Sequence, residues 1–148
     1  VTLGNFEDDI EKISDVDWII EVVVEKLEIK KTVFDLVEKH RTNGTLVTSN
    51  TSGIPIKLMN EGRSEDFKKN FAITHFFNPP RYLNLFEVIP GPDCDKNVLD
   101  FLMEYGEKFL GKTSVLAKDT PAFIGNRIGT FGIQSLFHQV KNGGELSN

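Results

Sequence analysis

Several stretches of the chain are almost continuously apolar and rich in β-branched or aromatic residues, and the segments between them carry apolar residues at helical spacing. The longest run is Asp17-Trp18-Ile19-Ile20-Glu21-Val22-Val23-Val24. A run without alternation predicts a strand covered on both faces, as in a parallel sheet. Residues 45–48, 71–77, 85–89 and 113–117 read as further strands, and Val1-Thr2-Leu3 is a short apolar start. Residues 25–40 place Leu27, Val33, Phe34 and Val37 among Lys and Glu, which predicts an amphipathic helix. Residues 97–110, with Val98, Leu99, Leu102 and Phe109, predict another that stops near Gly111. Shorter helices are expected at 6–13, where acids come early, and at 54–60, with Pro55 in the first turn. Asn43-Gly44 reads as a turn. Asp119-Thr120-Pro121 predicts a helix over 122–140, capped by the Asp or the Thr. Gly125, Gly129 and Gly132 lie along that helix. Each costs about 1 kcal/mol there, so close packing against another backbone is expected.

Strands alternating with helices predict an α/β fold with a mostly parallel sheet. In such sheets ligands sit at the carboxyl ends of the strands. The polar segments 49–53, 75–81 and 119–127 are the candidates for that edge.

Composition narrows the picture. A length of 148 residues suits one domain, and no repeats or low-complexity tracts divide it. A net charge of −5 argues against a nucleic-acid binder, which needs a basic face. No apolar run approaches the roughly 20 residues of a membrane helix, and no basic-then-apolar segment opens the chain. A lone cysteine, Cys94, excludes an internal disulfide framework and suits a reducing, cytoplasmic setting. Twelve Phe against two Tyr and one Trp predict a sizeable core.

Candidate chemistry gathers in four places. His75 ends an apolar strand beside the stiff turn Asn78-Pro79-Pro80, and Glu87 follows twelve residues later inside Leu85-Phe86-Glu87-Val88-Ile89. A carboxylate in so apolar a strand must be paired. If the two strands are neighbours, Glu87 can hold one imidazole nitrogen and leave the other as a general base. The plainer alternative is a buried histidine satisfied by any neighbour, with Glu87 at an exposed strand edge. Ser49-Asn50-Thr51-Ser52-Gly53 could bind a substrate hydroxyl or a ribose, or simply turn the chain. Asn126 and Arg127 stand near a helix start, where Asn126 could equally be an exposed polar residue. Glu21, Glu25 and Lys30 could touch a ligand at the sheet edge, or form a surface pair worth little. His40 and His138 lie on helices without ligand partners, so no metal site is expected. Cys94, in a Gly-Pro-Asp turn, reads as an ordinary free thiol. No GxGxxG, GxSxG or phosphate-loop pattern is present.

Taken together and in order, Ser49-Asn50-Thr51-Ser52, His75-Phe76-Phe77-Asn78-Pro79, Leu85-Phe86-Glu87-Val88-Ile89 and Lys118-Asp119-Thr120-Pro121-Ala122-Phe123-Ile124-Gly125-Asn126-Arg127 closely resemble the NAD-dependent 3-hydroxyacyl-CoA dehydrogenases of fatty acid β-oxidation. The strand at 17–24 with Glu25 fits the same family. The resemblance implies a Rossmann-like, doubly wound fold, an acyl-CoA substrate and NAD as cofactor. It implies that His75 is the catalytic base, that Glu87 orients it, and that Ser52 and Asn126 hold the reacting oxygen and position the substrate. Glu25, Lys30, Asn50 and Ser52 match positions near the cofactor. Pro80-Arg81-Tyr82-Leu83-Asn84 departs from the common continuation and resembles long bacterial members with a fused hydratase-like region. Ala122 stands where Gly is usual, and Gly125 where Val is usual.

The family's first βαβ unit carries GxGxxG, and a C-terminal helical domain completes the acyl-CoA site. The chain is therefore expected to be a fragment, inactive alone, with a partial sheet lacking its first βαβ unit. Residues 1–121 are then the C-terminal part of the NAD-binding domain, and 122–148 the linking helix and the start of the helical domain. An open sheet edge predicts a homodimer or other self-association. The alternative from another class is a non-catalytic binding or assembly module that kept the fold. The 2-hydroxyacid and 6-phosphogluconate-type dehydrogenases fit poorly, because they use a Lys base and no Lys here occupies a matching strand-end loop.

Overall fold

The computed structural model describes residues 1–141, and all structural statements concern these. Five strands form one sheet in the order β1 (Trp18–Glu21), β2 (Leu46–Ser49), β3 (Phe71–Phe76), β4 (Leu85–Pro90) and β5 (Thr113–Leu116). β1 with β2, β2 with β3, and β4 with β5 are parallel, while β3 and β4 are antiparallel. Helix α1 (Leu27–His40) connects β1 to β2. Two short helices, α2 (Ile56–Met59) and α3 (Glu65–Lys69), connect β2 to β3. α4 (Lys96–Lys108) connects β4 to β5, and α5 (Gly125–Lys141) follows. The expected α/β architecture with a mostly parallel sheet is what the chain adopts.

The sheet carries a core on each face. On one, Phe34 and Val37 of α1, Ile56 and Met59 of α2 and Phe67 of α3 pack on Val47, Phe71, Ile73 and Ile89. Phe34, Phe67 and Phe71 meet with ring centroids 5.1–5.6 Å apart. On the other, Leu102 of α4 packs on Leu46, Ala72, Phe86 and Val88. Gly106 lets α4 come close: a Cβ there would run into Ser114 Oγ and lie 2.7 Å from the Phe86 ring. Asp95 caps α4 by accepting from Asn97 N at 2.8 Å, and Gly111 leaves it at φ +63°.

Several local expectations are corrected. The run at 17–24 is not a strand covered on both faces. β1 has four residues, lies at the sheet edge, and leaves Ile20, Val22 and Val24 exposed. The helix expected at 6–13 is a 3₁₀ turn at Ile10–Asp15. Asn5 Oδ1 holds the N–H groups of Glu7 and Asp8, and Asp9 holds Asn5 N, so the preceding residues form a side-chain-locked turn. α3 has no counterpart among the expected helices. It is too short for periodicity, and its signal is Ser64, which caps Phe67 N at 3.2 Å.

The helix expected over 122–140 begins at Gly125, after a turn in which Ala122 and Phe123 have φ of +64° and +46°. Asp119 does not cap it. Its carboxylate accepts instead from Ile56 N, the first residue of α2, at 2.9 Å. Gly129 and Gly132 face open space rather than another backbone, and Gly125 packs against the Phe77 and Leu85 side chains. No residue of α5 is buried. The remainder of the 122–148 segment, residues 142–148, lies outside the described residues. Among those described, no helix is long and apolar enough to cross a membrane.

Candidate active site

His75 and Glu87 are direct partners across the antiparallel pair β3–β4. Their side chains share one face, and His75 Nδ1 stands 2.7 Å from Glu87 Oε2. Both are buried, Glu87 completely. Glu87 Oε1 accepts the backbone N–H groups of Ile124 and Gly125 at 3.0 and 2.8 Å. These are among the unpaired donors of a helix start, so Glu87 caps α5 while holding the imidazole. A carboxylate accepts only, so the proton lies on Nδ1 and Nε2 keeps its lone pair. Ser52 Oγ stands 3.2 Å from Nε2 and donates to it. The rings of Phe77 and Phe123 flank His75 at 4.5 and 5.5 Å. The result is a fixed acceptor nitrogen between apolar rings, opening to solvent at the exposed Ser52.

Ser52 belongs to the loop after β2. Glu25, in the loop after β1, holds it: Oε1 accepts from Thr51 Oγ at 2.5 Å and from Ser52 N at 3.0 Å. Burial raises the Glu25 pKa, but those two bonds and the Lys30 charge outweigh it, so the carboxyl lies below the usual range. Asn50 ties the same loop to β3, its Oδ1 accepting from Phe76 N at 2.9 Å. Asn126 is the second residue of α5, directly after the peptide N–H that Glu87 holds, and is partly exposed.

The structure therefore brings His75, Glu87 and Ser52 into bonded contact and sets Glu25 and Asn50 in the adjoining loop. Asn126 lies on the helix that Glu87 caps. Lys30 does not fit the surface-pair alternative: its side chain is 1% exposed and lies 2.9 Å from Glu21. Reading the sequence placed Thr51 in the candidate loop without its bond to Glu25, and missed the parts played by Phe77, Phe123 and the backbone donors of Ile124 and Gly125. Only Phe77 left a signal, in its place next to the turn after His75. Cys94 lies elsewhere. Burial, helped by Asp95, pushes its thiol up to about 11, which leaves it protonated and inert near neutral pH. Among the described residues no cluster of His, Cys, Asp and Glu is suited to a metal.

The model of the family described as 3-hydroxyacyl-CoA dehydrogenase, NAD binding domain, matches residues 1–120. A Bacillus subtilis protein named "Probable 3-hydroxyacyl-CoA dehydrogenase" is 56% identical over 144 residues, covering 97% of this chain and 18% of its own length. A Deinococcus radiodurans protein of the same name is 47% identical, over 97% of this chain and 42% of its own. The chain thus spans less than half the length of these relatives. Among solved structures, FadB2 of M. tuberculosis superposes with a TM-score of 0.83 at 28% identity, over 91% of this chain and 47% of that one.

Proposed function

The chain belongs to the 3-hydroxyacyl-CoA dehydrogenase family through its NAD-binding domain, and from that premise we propose that its gene product oxidises L-3-hydroxyacyl-CoA to 3-ketoacyl-CoA in fatty acid β-oxidation. The observation that carries the reading is the Glu87–His75–Ser52 arrangement, with bonds of 2.7 and 3.2 Å.

His75 Nε2 is the base. It takes the proton of the 3-hydroxyl, and the charge that develops on the imidazole is balanced by Glu87 on the opposite nitrogen. Two backbone N–H bonds keep Glu87 from turning away. Ser52 Oγ and Asn126 hold the reacting oxygen. Phe77 and Phe123 pack their rings against the imidazole and help hold it in place.

NAD, when bound, supplies the nicotinamide that accepts the hydride. Glu25, Asn50 and Ser52 fit its ribose and carboxamide end, since they offer one carboxylate, one amide and one hydroxyl at parallel strand ends. Glu25 is 46% exposed and has an oxygen free of hydroxyl and backbone partners, suited to a ribose hydroxyl. We assign residues 1–121 to the C-terminal part of the cofactor domain, and 122–148 to the linking helix together with the start of a C-terminal helical domain. Self-association of the 148-residue chain, as a homodimer or otherwise, is part of the same proposal, supported by the open edge of β1 and by α5, where Ile128, Phe131 and Phe137 are exposed. So does a reducing, cytoplasmic setting, supported by the single cysteine.

The test is NADH oxidation with acetoacetyl-CoA, run on the full gene product and on the 148 residues alone. Turnover is expected in the full product and little in the shorter chain, whose sequence carries no GxGxxG to hold a pyrophosphate. An inactive full product, with straight- and branched-chain 3-ketoacyl-CoA substrates alike, overturns the reading in favour of a non-catalytic module.

A further inference from the structure

Thr51 stands between Glu25, which the reading above gives to the cofactor, and Ser52, which it gives to the reacting oxygen. It is fully buried, whereas Ser52 is exposed. Its hydroxyl carries one hydrogen, and a carboxylate only accepts. That hydrogen therefore goes to Glu25 Oε1, at 2.5 Å. The hydroxyl oxygen in turn accepts from Ile54 N at 3.0 Å and, at the longer distance of 3.4 Å, from Gly53 N.

Little else gives the serine loop its shape. Its ends are pinned: Asn50 Oδ1 accepts from Phe76 N of β3, and Ile56 N donates to Asp119. Between those ends, among the described residues, no N–H of residues 51–54 donates to a backbone carbonyl. The N–H groups of Ser52, Gly53 and Ile54 go to side-chain oxygens instead, the first to Glu25 Oε1 and the other two to Thr51 Oγ1. A side-chain hydroxyl thus stands in for the backbone bond of a turn. Thr51 is β-branched, which restricts its χ1, so the group that closes the turn is itself held. Ser52 Oγ, 3.2 Å from His75 Nε2, is carried on this turn.

We propose that Thr51 is a positioning residue: its buried hydroxyl shapes the serine loop so that Ser52 Oγ meets His75 Nε2, and ties that loop to Glu25. The proposal rests on the reading of His75 as the base. No part of Thr51 is exposed, so it acts through Ser52 and Glu25 rather than by touching substrate or cofactor.

Two substitutions separate the hydroxyl from the bulk of the side chain. Thr51→Val keeps the shape and removes the hydroxyl, while Thr51→Ser keeps the hydroxyl and removes a methyl group. In the full gene product, Thr51→Val is expected to lower kcat about 10- to 100-fold, as small misplacements do, with KM for acyl-CoA within about threefold. Thr51→Ser is expected to keep kcat within about threefold of wild type, although the lost methyl group lowers Tm. In the ¹⁵N-histidine-labelled product, the His75 Nε2 resonance is identified by its absence in His75→Gln. It is expected to move downfield in the valine variant, as the Ser52 bond loosens, and to stay in place in the serine variant.

An unchanged kcat in Thr51→Val overturns the proposal. So does a fall in kcat with the resonance unmoved, which places the effect elsewhere than at Ser52. A serine variant as slow as the valine variant shows that the methyl group matters rather than the hydroxyl, and the proposal falls. If Thr51→Val does not fold, Thr51→Ala is measured in the same way. If neither folds, the hydroxyl is a core element and the positioning role falls. Should the wild-type product prove inactive on acyl-CoA, the dehydrogenase reading fails, and the resonance shift still decides the positioning.

Discussion

Glu87 divides its two oxygens between two tasks: Oε2 holds His75 Nδ1 at 2.7 Å, and Oε1 holds the first turn of α5 at 2.8 and 3.0 Å. A glutamine can satisfy only one of these as an acceptor. In Glu87→Gln the amide oxygen keeps the two backbone donors, and the NH₂ group turns to Nδ1. That forces the histidine proton onto Nε2, the atom that must accept. Loss of a correct tautomer in comparable sites costs about 10²–10⁴ in kcat. The expected outcome is a folded variant with that loss and a KM for acyl-CoA within a few-fold. Steady-state kinetics beside a denaturation curve check it, and a variant with half the wild-type kcat would contradict the role of Glu87.

The legibility of this site in the sequence is uneven, for physical reasons. His75 and Glu87 stand twelve residues apart in two apolar strands, and pairing them needs only a turn between neighbouring strands. Asn50 and Ser52 are visible as polar residues straight after a strand. The Glu21–Lys30 pair is not legible as a buried one. Its burial depends on Ser49 arriving from β2, 28 residues away, and local patterning carries no such information. The cap of α5 misleads for the same reason: Asp119 obeys the local rule in sequence, but Glu87 reaches the helix start from β4 and Asp119 is drawn to α2. The exposed Val22 and Val24 look like core because hydropathy does not tell a central strand from an edge.

Glu25 makes the serine loop sensitive to acid. Burial raises its pKa, but the bonds from Thr51 and Ser52 and the Lys30 charge bring it below the usual value. A carboxyl whose folded pKa is depressed adds stability above its unfolded pKa of about 4.3 and loses it as pH falls through the folded value. Glu25→Gln removes that contribution. The stability gap between wild type and variant is therefore expected to be widest above the unfolded carboxyl pKa and to close as the pH falls through the lowered folded value. Denaturant unfolding across that range measures it, and a gap that stays constant with pH shows that Glu25 is not held in its charged form.

Gly106 sits where α4 crosses β4 and β5. A methyl group there would run into Ser114 Oγ, which bonds Met103 O, and stand 2.7 Å from the buried Phe86 ring. Alanine in a helix gains roughly 1 kcal/mol over glycine, but overpacking costs about 1–3 kcal/mol. Phe86 is fully buried and the serine is bonded, so neither yields freely. Gly106→Ala is expected to destabilise the chain despite the better helix former, lowering Tm by about 2 °C or more. A raised Tm shows that α4 can shift outward without loss.

Ala122 occupies the position where the resemblance leads one to expect glycine, and its φ is +64°. A residue with a Cβ costs roughly 1–2 kcal/mol in this conformation. The strain is held by the surroundings: Phe123 is 2% exposed with its ring against His75, and Ile124 N is bonded to Glu87. Replacing alanine by glycine relieves the Cβ clash, while the freer unfolded chain takes back about 0.4–1 kcal/mol. Ala122→Gly is therefore expected to be neutral or to stabilise by up to about 1 kcal/mol, where the same change in an ordinary position destabilises. The turn keeps its shape, so the Glu87 cap and the His75 contact stay and kcat is unchanged. Chemical denaturation and steady-state kinetics on the one variant test both halves. A loss of about 1 kcal/mol shows that residue 122 is not strained, and a fall in kcat shows that its methyl group takes part in holding Phe123 against the imidazole.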